Sequence, residues 1–562
     1  MSLGRLVGGA TAAALAVAGL AAVPRATAAA DPNAYTTTET YIASTDGVRL
    51  HASVFRPAGA VAATKTPVIL TVSPYATSGA QPLSPTDVAN DPTPRASGFA
   101  IDAQVFAHGY SVVEVALRGY GASSGCYDEG GPGEQQDVKH AVEWAASQPW
   151  STGKVGMVGH SYDAQTQLMA LGTHPKGLAA VVPSAAPAGY VNFFTDGVSN
   201  FTGRLFGGFY LVSDLLPPSL KAPSDQQVAA LNGPLSYPTC YATTEAGTYS
   251  DRPDSAYWKA RDLAAMAAGS TVPAFVEQGF DDYNVRSTNF TEFWAGLKGP
   301  KRALLGPWDH DMNHTGRGKT DEALRWLDAW VKGDKAAQAY EATAPPIEVQ
   351  TVDGRYRAEQ SWPPSDIVGR QLPILGGTYL DSGVNFSETG IPPFITGSLG
   401  TGQPPEPMPT GKGSWTFTPP LGEAMHMAGR ATARVHLRSL VPGTTLVALL
   451  YDVDPAGNAR FVARGAHLTR TAGTQVVSAT LYANDWEFAK GHRVGLLLTN
   501  ADTLWLEPGI TGTPVSIFGG TLTLPALTRP RTTFLNGGPY PVLPQDPPFK
   551  VSADQIKNRT AD

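Results

Sequence analysis

The clearest structural signal in the chain is the segment Val155-Gly156-Met157-Val158-Gly159-His160-Ser161-Tyr162-Asp163. Its apolar run Val155 to Val158 predicts a buried strand, and Gln165 to Leu171 predicts a helix soon afterwards. The Gly-x-Ser that ends at Ser161 is typical of a nucleophile elbow, a sharp turn that presents a serine hydroxyl above a sheet and aims the next backbone amide at an oxyanion. Asp163 stands where this motif usually has its second glycine.

Strands and helices alternate around this turn, which indicates a mostly parallel α/β sheet. Helical spacing predicts a helix over 133–147, and the aromatic-rich stretch 187–268, which has no clear strand run, is expected to form a helical cap insertion. Short apolar runs predict strands at 68–72, 111–117, 273–276 and 303–305.

After about residue 345 the sequence changes to short alternating strands broken by Gly and Pro. This spacing is typical of an all-β sandwich, which we expect to be a jelly roll of the galactose-binding-like type. The predicted organisation has five parts, which are a signal peptide at 1–30, a first part of the α/β core at 31–186, the cap insertion at 187–268, a second part of the core at 269–344 and the jelly-roll domain at 345–562.

A serine nucleophile needs a base and an orienting carboxylate, and two loops behind predicted strands offer them. Asp281 and Asp282 follow the strand at 273–276, and His310 follows the strand at 303–305. Because the carboxyl ends of parallel strands meet at one edge of a sheet, the order serine, acid, histidine predicts a catalytic triad. Only one of the two adjacent aspartates can face the imidazole, and chemistry alone leaves that choice open.

The composition excludes several other classes of protein. The 562 residues include 41 Lys plus Arg against 48 Asp plus Glu, a net charge of -7 without a basic stripe, which argues against nucleic-acid binding. Two cysteines exclude a disulfide-dense scaffold and a CxxC zinc site. His310 and His314 have the spacing of a zinc helix but lack its glutamate, so we expect neither a metal nor a cofactor.

The first 30 residues have the features of a secretory signal. An apolar stretch from Leu6 to Val23 is followed by an A-x-A site within Ala28 to Ala30, and a retained membrane anchor is the alternative. We therefore expect a secreted protein without membrane contact after cleavage, and its oligomeric state stays open. Export makes a disulfide between Cys126 and Cys240 plausible, with two free thiols as the alternative.

Six motifs follow one another along the chain, and they are Pro74-Tyr75, Arg118-Gly119, Gly159-x-Ser161-Tyr162, Gly279-Phe280-x-Asp282, Gly306-Pro307-Trp308-x-His310 and Asp452-Val453-Asp454-Pro455. In this order they resemble the motifs of the α/β-hydrolases related to X-prolyl dipeptidyl-peptidase and bacterial cocaine esterase. The resemblance implies that Ser161 is the nucleophile, that Asp282 orients the base His310, and that the Tyr75 hydroxyl and the Tyr162 amide form the oxyanion hole. The family usually has Gly where this chain has Ala164.

These observations predict a serine hydrolase that cleaves an ester or amide bond of a small molecule or peptide through an acyl-enzyme. The resemblance favours X-prolyl dipeptidyl-peptidase activity, in which Asp163 would bind the α-ammonium group of the substrate. An acid that interacts with the positive end of a helix is the alternative interpretation of Asp163. A carboxylesterase of the cocaine esterase type is the alternative function, and a noncatalytic surface- or sugar-binding protein is the alternative from another class.

Overall fold

The structure of the protein is a computed structural model, and its described part comprises most of the chain after the predicted signal. The predicted signal peptide and the middle of the predicted cap insertion lie outside these residues. The described residues are 31–61, 63–75, 97–200, 242, 244, 246–282, 284–310, 319–383, 413–502, 506, 509–542 and 548–561.

The first sheet has ten strands in the order β1-β2-β4-β3-β5-β6-β9-β10-β11-β12. The seven strands from β4 to β11 pair in parallel, whereas β1, β2 and β12 pair antiparallel at the two edges. These strands are β1 (Tyr35–Ala43), β2 (Arg49–Pro57), β3 (Thr66–Ser73), β4 (Ser111–Ala116), β5 (Ser151–His160), β6 (Leu178–Ser184), β9 (Ala274–Gly279), β10 (Lys301–Gly306), β11 (Ile347–Gln350) and β12 (Tyr356–Glu359).

Helices cover both faces of this sheet. Leu70 of β3 belongs to one buried apolar cluster and its neighbour Ile69 belongs to the other, as the alternation of side chains along a strand requires. The helices are α1 (Gly98–Asp102), α2 (Pro132–Ser147), α3 (Tyr162–Thr173), α4 (Tyr190–Phe193), α5 (Ala256–Lys259), α6 (Leu263–Ala267), α7 (Ser287–Trp294), α8 (Lys319–Leu327), which a π-helical turn continues, and α9 (Lys335–Glu341).

The described ends of the predicted cap insertion contain more than helices. Two short strands, β7 (Phe194–Thr195) and β8 (Val198–Ser199), form a hairpin where we expected no strand. The prediction was wrong here because two-residue strands produce no detectable alternation of apolar and polar residues. The buried aromatic side chains of Phe193, Phe194 and Trp258 pack together beside this hairpin.

The second sheet is antiparallel throughout, as the alternating C-terminal sequence predicted. Its strands follow the order β13-β21-β16-β19-β18-β17-β20-β15, with β14 on β21 and β22 on β18. The helix α10 (Ala553–Arg559) closes the described chain. The strands are β13 (Ile367–Ile374), β14 (Gly377–Leu380), β15 (Ser414–Phe417), β16 (Met425–Ser439), β17 (Thr445–Val453), β18 (Asn458–Leu468), β19 (Gly473–Phe488), β20 (Arg493–Thr499), β21 (Pro514–Leu527) and β22 (Phe549–Lys550).

The first sheet extends beyond the boundary that we predicted at residue 344. Strand β11 pairs in parallel with β10, and β12 then pairs with β11, so the first sheet ends at Glu359. A buried ion pair links this edge to the second sheet, because Arg357 donates two hydrogen bonds to Asp485 at 2.7 and 2.5 Å. No helix within the described residues is long and apolar enough to cross a membrane.

Candidate active site

The nucleophile elbow lies at the centre of the first sheet, where β5 ends and α3 begins. Ser161 is forced into a backbone conformation with φ 59° and ψ -122°, which is rarely populated outside glycine. Gly159 permits the turn, because a Cβ atom there would lie 2.4 Å from the Cβ atom of Asp163. The strained turn places Ser161 ahead of the first turn of α3, as the motif predicts.

Two loops behind β9 and β10 run side by side and bring the acid toward the histidine. The backbone amide of Phe280 donates to the carbonyl of Gly306 at 2.8 Å, and the amide of Asp281 donates to the carbonyl of Trp308 at 3.1 Å. Gly279 allows this approach, since a Cβ atom there would lie 2.2 Å from the same Trp308 carbonyl. Close packing of the two loops therefore depends on glycine at the end of β9.

Ser161, His310 and Asp282 are connected by hydrogen bonds. The Nε2 atom of His310 lies 3.1 Å from the Ser161 hydroxyl, and its Nδ1 atom lies 3.0 and 3.1 Å from the two Asp282 oxygens. Asp282 is 1% exposed and Ser161 is 6% exposed, so both groups are largely shielded from water. In this arrangement the carboxylate favours the tautomer with its proton on Nδ1, which leaves Nε2 to accept the serine proton.

The structure brings Asp282, and not its neighbour Asp281, against the imidazole. The backbone amides of Asn284 and Val285 donate to Oδ1 of Asp282 at 2.8 and 2.7 Å and fix the orientation of its carboxylate. Asp281 instead pairs through its backbone with the loop after β10. The choice that the sequence left open is thus decided by the conformation of one short turn.

The two predicted oxyanion donors come from different elements. Tyr162 is the first residue of α3, where backbone amides have no acceptor within their own helix. Tyr75 follows β3, the residue is 40% exposed, and its backbone amide donates to the Ser73 hydroxyl at 2.9 Å. Both residues belong to segments at the carboxyl ends of adjacent strands, and their role as donors stays a prediction.

Asp163 is placed beneath the elbow. Burial raises the pKa of its carboxyl to about 8, and a hydrogen bond with Ser73 counteracts this rise only in part. Its Oδ1 atom is buried without a hydrogen-bond partner. The residue as a whole is half-buried, and its predicted role, binding of the α-ammonium group of a substrate, stays a prediction.

Two further polar residues contact His310, and sequence reasoning missed both. The ring of His160 lies 4.6 Å from the ring of His310, centroid to centroid, and its Nδ1 atom lies 3.4 Å from the Ser184 hydroxyl. The side-chain amide nitrogen of Asn284 lies 3.1 Å from Nε2 of His310. The available signals were the position of His160 next to the nucleophile and that of Asn284 two residues after the acid.

The predicted cap insertion is attached to the loop that carries the acid. Arg286 donates to the backbone carbonyl of Asn192 at 3.1 Å, and Asn289 donates to the Asn192 side chain at 3.1 Å. These hydrogen bonds hold the start of the insertion against the segment that follows Asp282.

Cys126 forms a disulfide, and Cys240, the other cysteine of the chain, lies outside the described residues. The pairing of these two cysteines therefore stays a prediction.

This geometry defines the class of the protein: an α/β-hydrolase fold with a serine, histidine and aspartate triad, followed by a separate antiparallel β domain. Residues 46–312 match the family model of the X-Pro dipeptidyl-peptidases, family S15. Residues 341–516 match the model of the X-Pro dipeptidyl-peptidase C-terminal non-catalytic domain. The chain is thus similar, in both parts, to a group of serine hydrolases that includes X-prolyl dipeptidyl-peptidases and cocaine esterase.

Curated relatives carry both activities in their names. A Streptomyces avermitilis protein provisionally named Xaa-Pro dipeptidyl-peptidase is 26% identical over 448 residues, which cover 74% of this chain and 59% of that protein. Cocaine esterase from Rhodococcus sp. strain MB1 Bresler is 25% identical over 537 residues, which cover 81% of this chain and 89% of the esterase. The chain spans only 59%, 44% and 43% of the first three relatives that it matches.

Solved structures share the fold. An aminopeptidase from a marine sediment archaeon, Thaumarchaeota archaeon, has a TM-score of 0.68 at 17% identity, with 91% of this chain and 99% of that chain covered. An α-amino acid ester hydrolase has a TM-score of 0.64 at 18% identity, with 90% and 98% covered. At these identities the likeness shows the common fold and nothing about the substrate.

Proposed function

We propose that the protein cleaves an ester or amide bond through an acyl-enzyme on Ser161. The observation that carries this proposal is the hydrogen-bonded series from the Ser161 hydroxyl through His310 to the buried Asp282. In the first step Nε2 of His310 takes the hydroxyl proton while Oγ attacks the acyl carbon, and the imidazolium is stabilised by Asp282. The imidazolium then gives the proton to the leaving alcohol or amine, whose bond to the acyl carbon breaks.

Release of the acyl group reverses the same proton movements. A water molecule loses a proton to Nε2 of His310 and attacks the ester carbonyl, and the proton returns to the Ser161 oxygen as that bond breaks. In both halves negative charge develops on the carbonyl oxygen. The amide of Tyr162 and the hydroxyl of Tyr75 are our proposed donors to this oxygen, because each lies at the carboxyl end of a strand beside the elbow.

We propose X-prolyl dipeptidyl-peptidase specificity as the first candidate and a carboxylesterase of the cocaine esterase type as the second. The S15 family match over residues 46–312 supports the peptidase. The esterase is favoured by length, because the alignment covers 89% of cocaine esterase and 59% of the Streptomyces relative. A peptidase that binds a free α-ammonium group needs an ionised carboxylate near the acyl side, and Asp163 is our candidate for this role.

A substrate panel separates the two candidates. The protein is assayed on Ala-Pro p-nitroanilide, on its N-acetylated form and on p-nitrophenyl butyrate, with Ser161→Ala as the matched control. A peptidase should prefer the free amine by about 10² or more, because acetylation leaves its carboxylate desolvated without a partner. Equal rates on the free and acetylated anilides, together with fast cleavage of the butyrate, would instead establish the esterase.

Labelling of Ser161 tests the reaction class itself. A fluorophosphonate should modify one serine of the native protein, identified as Ser161 by mass spectrometry, and should leave Ser161→Ala unlabelled. An unlabelled native protein would favour the noncatalytic surface- or sugar-binding alternative.

Three further proposals concern localisation and domain organisation. They are export by the predicted signal, a cap formed by the insertion at 187–268 and a jelly-roll topology of the C-terminal domain.

A further inference from the structure

The side chain of Tyr162 points into the protein, behind the elbow. It is 2% exposed, and its hydroxyl donates to Oε2 of Glu134 at 2.6 Å. The same hydroxyl accepts a hydrogen bond from the backbone amide of Gly130 at 3.1 Å. The residue that follows the nucleophile is thus fixed at two points: by its backbone in α3 and by its phenol in the turn before α2.

Glu134 is itself held rigidly by backbone groups. Its Oε1 atom accepts from the amide of Asp128 at 2.7 Å, and its Oε2 atom accepts from the amide of Gly130 at 2.9 Å. The side chain belongs to the first turn of α2 and is completely buried, and burial raises the pKa of its carboxyl to about 7, although the hydrogen bonds that it accepts counteract part of this rise. Glu134 therefore presents a fixed acceptor to the Tyr162 hydroxyl.

The turn at Asp128 to Gly131 is locked to the rest of the molecule as well. Asp128 accepts from the amide of Gly133 at 2.9 Å and forms an ion pair with Arg261 at 2.5 Å. Gly130 packs directly on α3, because a Cβ atom there would lie 2.4 Å from the side-chain nitrogen of Gln165. The support behind Tyr162 thus joins α2, α3 and the predicted cap insertion.

We propose that Glu134 is a positioning residue, which holds the backbone amide of Tyr162 in line with the oxyanion through the hydroxyl of the same tyrosine. This inference rests on the proposed function, since it assumes that the Tyr162 amide is an oxyanion donor. Ser161 lies in a strained conformation, so the elbow needs support on its far side to keep the following amide fixed. The phenol of Tyr162 reaches that support from the same residue that carries the amide.

A second tyrosine in this cluster provides a matched control. Tyr127 is 1% exposed, its hydroxyl donates to the buried carboxyl of Glu129, and its ring lies 5.9 Å from that of Tyr162. It has the same chemistry and the same burial, but it is not adjacent to the nucleophile. A purely structural role of the cluster would make the two tyrosines equivalent, whereas positioning of the oxyanion donor concerns Tyr162 alone.

The experiment compares Tyr162→Phe with Tyr127→Phe in the full chain. Both variants lose one buried hydroxyl, and both should show a similar fall in Tm. For the ester that the native protein cleaves best, kcat of Tyr162→Phe should fall about tenfold with KM within about twofold, since only part of one donor's contribution is lost. Its affinity for an alkyl boronic acid, which forms a tetrahedral adduct with serine, should fall to the same extent as kcat, and both quantities should be unchanged in Tyr127→Phe.

A second variant protects the test against misfolding. Glu134→Ala removes the acceptor of the Tyr162 hydroxyl altogether, so it should reproduce the loss of kcat seen in Tyr162→Phe. The inference is overturned if the tyrosine variants have equal kcat, if KM changes instead of kcat, or if both Tyr162→Phe and Glu134→Ala unfold while Tyr127→Phe folds. Absence of fluorophosphonate labelling at Ser161 in the native protein refutes the proposed function, whereas a labelled native protein with equivalent tyrosine variants refutes only the positioning role.

Discussion

Replacement of Asp282 by asparagine should invert the tautomer of His310. Oδ1 of Asp282 accepts from the amides of Asn284 and Val285 at 2.8 and 2.7 Å, so the oxygen of an asparagine has to remain at this position. Its NH₂ group then occupies the site of Oδ2, 3.0 Å from Nδ1 of His310, and donates to that nitrogen. The imidazole proton moves to Nε2, which faces the Ser161 hydroxyl and can no longer accept its proton.

The expected loss of kcat follows from the position of this one proton. A triad whose base has the wrong tautomer loses about 10⁴ in kcat, which corresponds to about 5 kcal/mol of transition-state stabilisation. Stability should change little, because asparagine has the same shape and keeps both backbone hydrogen bonds. The assay is kcat on the best ester substrate, with Tm as the control for folding.

Asp281→Asn is the matched control for this prediction. It changes the adjacent carboxylate, which takes part in none of the hydrogen bonds of the triad. The substitution should therefore alter kcat by less than about threefold. The reasoning is refuted if Asp282→Asn keeps more than about a tenth of the native kcat. It is equally refuted if Asp281→Asn shows the larger loss.

The remaining predictions concern the oxyanion, the buried acids and the link between the sheets. Tyr75→Phe should lower kcat by about 10² at unchanged KM, and a rise in KM alone would make Tyr75 a ground-state binding residue. Burial raises the pKa of Glu129 from 4.5 to about 8, so the protonated form stabilises the fold, and Tm should fall as the pH rises from 5 to 8. Glu129→Gln should flatten that fall, and an unchanged slope would contradict the assignment. Asp485→Asn removes one of the two carboxylates that compensate buried Arg357, the other being Glu359, and should cost about 3 kcal/mol in urea unfolding, whereas a loss below about 1 kcal/mol would show that Glu359 alone compensates the cation.

The centre of the fold could be predicted because its signals are local. The apolar run before Ser161 and the helical spacing after it define the elbow within one short stretch of sequence. Asp282 and His310 could be placed near it because parallel strands bring their carboxyl ends to one edge. These predictions needed no knowledge of which side chains meet.

Contacts between distant segments could not be predicted in the same way. The orientation of Asp282 depends on two backbone amides in its own turn, and the contact between the rings of His160 and His310 depends on how the end of β5 packs against the loop after β10. Strand β11 has only four residues, and its partner β10 lies about 40 residues earlier, so no periodicity reveals their pairing. The hydrogen bond between Asp163 and Ser73 likewise depends on where β3 ends relative to the elbow.

The pairing of β11 and β12 with the first sheet determines where the chain can be cut. A catalytic fragment that ends at residue 344, where the sequence predicted the end of the α/β core, would lack both strands and would leave β10 as an unpaired edge strand prone to aggregation. A fragment that ends after Glu359 would complete the sheet, but its buried Arg357 would lose the ion pair with the carboxylate of Asp485. The part of the chain that matches the catalytic family model should therefore not fold stably when it is expressed alone. Protein for expression or display needs the C-terminal β domain attached.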